Sequence, residues 1–146
     1  VKITIRKLQP EDALFTAKLH ELAFSQIGET AEDFLEGIKR SEIKTWVAVY
    51  KNNILGYIQA KPKGAELFCT WFAVGKKMQG LGVGSSLVKK LRSHGKKMQF
   101  KAIRLETRNR FKKAICFYLN HDYQIKSTRI GKDGDTMIEM VCSLKR

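Results

Sequence analysis

Nine residues of nearly unbroken apolar character, ELFCTWFAV from Glu66 to Val74, lead within a few positions to three alternating glycines, Gly80, Gly82 and Gly84. An apolar run of that length suits a central strand covered on both faces. From Gly84 the period changes. Leu87, Val88, Leu91 and Met98 recur at helical spacing, and Lys89, Lys90, Arg92, Lys96 and Lys97 take the other side. Gly95 is expected to fray that helix's last turn or to cost it about 1 kcal/mol. A strand, a glycine turn and a helix N-terminus bring unpaired backbone N–H groups and the positive end of a helix dipole to one spot, which is an anion site. Two common phosphate loops do not fit. No G-x-x-x-x-G-K-[ST] string occurs, and the dinucleotide spacing G-x-G-x-x-G fails because Gly84 follows Gly82 one residue early.

The rest of the chain supplies a context of alternating elements. Val1 to Leu8 has the period of a half-buried strand, and Pro10-Glu11-Asp12 opens a helix reaching about Phe24, with Leu14, Leu19, Leu22 and Ala23 as its apolar stripe. Thr30-Ala-Glu-Asp33 reads as a capping box for a short helix to about Arg40. TWVAVY and ILGYIQA flank Lys51-Asn52-Asn53 as an antiparallel hairpin. Ala102 to Thr107 is a strand, Lys112 to Asn120 a helix, and Tyr123 to Thr128 with Thr136 to Leu144 a closing strand pair. The order β-α-α-β-β-β-α-β-α-β-β is an α/β mixture, expected to form one domain over residues 1–146. No apolar run approaches the roughly 18 residues of a membrane span, and VKITIRKLQP lacks the apolar stretch of a secretory signal. A soluble cytoplasmic protein without a membrane partner is expected.

Charge is distributed unevenly. Lys and Arg total 28 against 14 Asp and Glu, a net charge of +14, which favours anionic partners. Lys76 to Lys113 holds 13 basic residues and one acid, Glu106, whereas Glu11 to Glu36 holds seven acids and one base, Lys18. Cys69, Cys116 and Cys142, and His20, His94 and His121, have no metal-ligand spacing, so no metal site is expected.

Gln79-Gly80-Leu81-Gly82-Val83-Gly84 resembles the acetyl-coenzyme A motif of the Gcn5-related N-acetyltransferases (GNAT), [RQ]-x-x-G-x-[GA], with Val74 standing where that family's strand ends in valine. Leu105-Glu-Thr107 and Ala114-Ile-Cys-Phe-Tyr118 are similar to a second pair of family stretches. Departures are Asp122 before Tyr123 where glycine is usual, Phe111 where asparagine is frequent, and Lys76 where proline is frequent. The resemblance implies a three-layer fold, with a central mixed, mostly antiparallel twisted sheet of about seven strands flanked by four helices.

It also implies a function: transfer of an acetyl group from acetyl-coenzyme A (acetyl-CoA) directly to a primary amine of a small molecule, peptide or protein. Phe72, Ala73 and Val74 would hold the pantetheine arm by backbone hydrogen bonds, and Gln79, Gly80, Leu81, Gly82, Val83, Gly84 and Ser85 would cradle the pyrophosphate. Tyr118 would be the general acid for the departing sulfur. Glu66 is a candidate base, and equally a surface charge at a strand end. The acidic stretch around the first two helices suits a cationic acceptor, and the enzyme would be a monomer or homodimer. A rival reading is a basic nucleic-acid- or ribosome-associated module without acetyl transfer.

Overall fold

The computed structural model describes residues 2–24 and 30–144, and it has the expected α/β element order. Seven strands form one sheet of order β1-β2-β3-β4-β5-β7-β6: β1 Thr4–Lys7, β2 Lys44–Tyr50, β3 Asn53–Lys63, β4 Glu66–Val74, β5 Ala102–Arg108, β6 Gln124–Ile130 and β7 Thr136–Ser143. Four helices accompany them: α1 Ala13–Phe24, α2 Ala31–Ile38, α3 Val83–Lys97 and α4 Lys112–Leu119. The chain divides into two compact units, Val1–Lys61 with Thr70–Leu91, and Pro62–Cys69 with Arg92–Arg146.

In the first unit β1, β2 and β3 are antiparallel neighbours, and Tyr50 faces Asn53 across the two-residue turn. Lys51 and Asn52 both take positive φ, 48° and 64°, as that tight turn requires. Ala17, Phe34, Val47, Tyr57 and Ala73 form a core between α1, α2 and one sheet face. The other face carries α3, whose Leu87 comes close to Gly56. Thr30 and Asp33 cap α2 reciprocally, each bond 3.2 Å.

The phase of α1 departs from its apolar pattern. Of the expected stripe Leu19 packs partly against the core, but Ala23 is exposed and Leu14 and Leu22 are about four-fifths exposed, while Thr16, Ala17 and His20 are buried. The cause lies just before the helix. Arg6 grips the buried Asp12 carboxylate at 2.6 and 3.0 Å, and the Gln9 amide donates to it at 2.7 Å. Every fourth residue onward then points inward. Thr16 donates its hydroxyl to Asp12 O (2.9 Å) and His20 meets Tyr57 (2.6 Å), so the buried stripe is polar.

In the second unit β5 and β6 both pair antiparallel with β7, and β4 lies parallel to β5. Gly95, expected to fray the end of α3, is instead buried. A Cβ there would stand 2.6 Å from Leu144 and 3.3 Å from Leu67, so its absence lets the helix approach the sheet. Met98 lies past the helix end and is exposed, so it takes no part in the apolar face of α3. Asp122 ends the α4 turn at φ 68°, the left-handed conformation that the replaced glycine would adopt.

Candidate active site

The strand leading to the glycine turn is held at its start by β5. β4 and β5 are in register at Leu67↔Ile103 and Phe68↔Arg104. The alternation of β4 also breaks. Thr70 donates its hydroxyl to Gln59 Oε1 (2.7 Å), whose residue shares a face with Tyr57, and the next residue, Trp71, packs against the Tyr57 core as well. Two consecutive residues on one side are the mark of a bulge. The even-numbered residues from Glu66 to Val74 therefore do not share a single face.

After Val74, Gly75 donates to Leu55 O (2.8 Å) and a short 3₁₀ turn at Lys76–Met78 follows. Gln79 reaches back with its side-chain amide to Val74 O at 3.5 Å. Gly80 and Gly82 take φ of 86° and 83°, and a Cβ at either would meet no protein atom within 4 Å. Gln79, Gly80, Leu81 and Gly82 are exposed, and Val83, 1% exposed, anchors the turn to the core. Ser86 N donates to Gly82 O at 3.0 Å, which makes it the donor of the first helical bond and places the amides of Val83, Gly84 and Ser85 in the opening turn. The Ser86 hydroxyl also bonds Gly82 O (3.0 Å), so it is committed to the helix. Open backbone, positive-φ glycines and a dipole end match what a pyrophosphate requires.

Tyr118 lies in the second unit on α4, 8% exposed and 5.5 Å from the ring of Tyr123. Burial first, and the neighbouring Cys69 thiol second, push its pKa well above the usual tyrosine value, so it stays a proton donor. Glu66 is differently placed. Arg104 holds its carboxylate as a fork, Nε–Oε1 2.9 Å and NH2–Oε2 3.1 Å, and the same guanidinium reaches Glu139 at 3.0 Å. The Arg104 hydrogen bond lowers the Glu66 pKa, which weakens it as a base. The two candidates for catalysis therefore differ: Tyr118 is a protonated donor, while Glu66 is engaged at the far end of β4.

The sequence reading did not single out one further group. His20 has its Nδ1 2.6 Å from Tyr57 Oη and is enclosed by Phe34 (ring centroids 4.5 Å), Trp71 (4.7 Å) and Phe24 (5.2 Å). Its Nε2 is buried without a hydrogen-bond partner, and burial lowers its pKa to about 4. The spacing Asp12-Thr16-His20 was the available signal, but it is legible only once a polar stripe is allowed to be the buried one.

The model of the acetyltransferase (GNAT) family matches residues 11–123. The chain belongs to that family. Solved structures agree on the fold. Ard1 from Thermoplasma volcanium superposes with a TM-score of 0.90 at 21% identity, covering 100% of both chains. An aminoglycoside 6′-N-acetyltransferase complexed with coenzyme A gives 0.87 at 17%, covering 98% of each chain. The ribosomal-protein-S18-alanine N-acetyltransferase from Escherichia coli gives 0.84 at 18%, covering 99% of this chain and 96% of that one. No curated protein is a significant sequence match. As a GNAT member the chain is an acyl-transferring enzyme with acetyl-CoA as its cosubstrate, which sets aside the reading as a module without acetyl transfer.

Proposed function

We propose that this GNAT member acetylates a primary amine by direct transfer, with residues 1–146 acting as one N-acetyltransferase domain. The observation that carries the site assignment is the exposed turn from Gln79 to Gly82, with two glycines at positive φ opening onto the first amides of α3. The backbone N–H groups from Gly80 to Ser85 bind the pyrophosphate, and Gln79 fixes the start of the turn through Val74 O. Phe72, Ala73 and Val74, at the end of β4, offer main-chain groups to the pantetheine amides, and a main-chain N–H near Val74 polarises the carbonyl.

Acetyl-CoA supplies the acetyl group as a thioester. The acceptor nitrogen attacks with its lone pair, the carbon–sulfur bond breaks, and Tyr118 gives its hydroxyl proton to the sulfur. The surplus proton of the amine leaves to solvent, and the Tyr118 phenolate takes a proton back from solvent, which restores the acid. Glu66 has no part in this step. Its ion pair with Arg104 ties β4 to β5.

A cationic acceptor fits the acidic helices less fully than their sequence implies. Asp12 is held by Arg6, Asp33 caps α2 and Glu36 pairs with Lys39, which among the described acids of this stretch leaves Glu11, Glu21 and Glu32 exposed and outside these contacts. The loop between α1 and α2, also expected to wall the acceptor, lies outside the described residues. Three carboxylates still favour a positively charged amine.

Thiol release from acetyl-CoA across a panel of cationic, neutral and acidic amines tests both steps. Tyr118→Phe is expected to lower kcat about 100-fold while acetyl-CoA affinity stays within threefold. Glu66→Gln is expected to leave kcat within twofold. An unchanged kcat for the tyrosine variant removes Tyr118 as the acid, and turnover confined to neutral or acidic amines removes the cationic acceptor.

A further inference from the structure

Arginine and lysine have separate uses in this protein. Among the ion pairs of the described residues, arginine supplies the cation in every case but one, Lys39–Glu36. Arg104 and Arg108 each hold two carboxylates, and Arg129 pairs with Glu106. The lysines of α3 take part in no such pair. Lys89, Lys90, Lys96 and Lys97 are all exposed and fall at i, i+1, i+7 and i+8, which sets them along one side of the helix over about 12 Å. The opposite side, Val83, Leu87, Val88 and Leu91, is 0–1% exposed.

We propose that this lysine stripe docks the phosphate backbone of a double-helical nucleic acid. Charge complementarity is the first argument. A duplex carries one negative charge per about 1.7 Å of axis, so about seven phosphate charges lie along the length of the stripe. The stripe also excludes other occupants. A lipid surface is held firmly where apolar side chains insert beside the charges, and those within α3, Val83, Leu87, Val88 and Leu91, are sealed in the core. A protein partner would need a central aromatic or aliphatic anchor, yet the lysine side of α3 presents only Ser93 between the two pairs. A single strand would look for rings to stack its bases on, and no exposed aromatic residue lies on α3. What remains is a sequence-independent contact of ammonium groups with phosphates. Nor does the stripe belong to the pyrophosphate turn. Lys96 and Lys97 stand at the opposite end of the helix, about 20 Å along its axis from Val83.

Fluorescence anisotropy with a labelled 20-base-pair DNA duplex, between 50 and 200 mM NaCl, tests the assignment. Log Kobs is expected to fall linearly with log salt. Replacing all four lysines by glutamine should reduce the slope by about 3.6, and each of the pairs Lys89→Gln with Lys90→Gln, and Lys96→Gln with Lys97→Gln, by about half of that. Acetyl-CoA affinity, measured on the Lys96→Gln/Lys97→Gln protein, should stay within twofold and certifies that the variant is folded. The proposal is overturned by no duplex binding at 50 mM NaCl, by a slope the substitutions do not move, by tighter binding of a 20-nucleotide single strand, or by equal displacement with poly-glutamate.

Discussion

Two glycines next to the candidate site do opposite kinds of work, and substitution separates them. A Cβ on Gly56 would stand 2.8 Å from Ala73 O and 3.3 Å from Val74 Cα, both main-chain atoms that cannot rotate away. Gly56→Ala therefore forces β3 away from the end of β4, and a loss of about 1–3 kcal/mol in denaturant unfolding is expected. A loss below about 0.5 kcal/mol would show that the strands give. At Gly82 the protein leaves open space, and an alanine there meets only the cost of φ 83°, about 1–2 kcal/mol. What its methyl would obstruct is the ligand. Calorimetric titration should show Gly82→Ala weakening acetyl-CoA at least tenfold, more than its effect on folding explains; an affinity within twofold of wild type would move the pyrophosphate elsewhere.

Elements were legible where one physical signal dominated. β4, the two-residue hairpin turn and the capping box of α2 each follow from local chemistry: an unbroken apolar run, an asparagine tolerant of positive φ, and a Thr–Asp reciprocal pair. α1 was found but turned the wrong way, because the inward stripe is fixed by Asp12 and its Arg6 partner and not by leucine periodicity. Glu66 was placed on the correct strand and could not be judged further, since its partner Arg104 lies 38 residues away and leaves no local trace. The misread helix yields its own prediction. His20, neutral in the fold, has a pKa lowered to about 4 from 6.5, and it is faced by Tyr57 on β3, Phe34 on α2, Trp71 on β4 and Phe24 on α1, none of them charged. The unfolded chain thus binds the proton first. Stability should be full above pH 6.5 and fall by about 3 kcal/mol as pH drops from 6.5 to 4. His20→Phe should flatten that segment of the profile even if its overall stability is lower. A slope unchanged in the variant would assign the acid sensitivity to carboxylates such as Glu66, whose contribution is lost only below about pH 4.5.

At the scale of the whole molecule, a net charge of +14 on 146 residues sets repulsion against the local pairs. The attractive contacts are short and partly sheltered: Arg104 is 19% exposed between Glu66 and Glu139, and Arg6 grips an Asp12 that is 7% exposed. The repulsive ones are long and wet, since the lysines of α3 are exposed and their two pairs stand a helical repeat apart. Salt discriminates between these two classes. The screening length is about 30 Å at 0.01 M and about 8 Å at 0.15 M, so added salt silences repulsion across the surface before it weakens a 2.6–3.0 Å pair. Raising NaCl over that range should therefore stabilise the protein, by about 1 kcal/mol or roughly 4 °C in Tm for a chain of this size. The four-lysine variant of α3, having less repulsion to screen, should show a smaller rise. A Tm that falls with salt would mean that the arginine pairs outweigh the lysine surface, and that the excess charge is tolerated without strain.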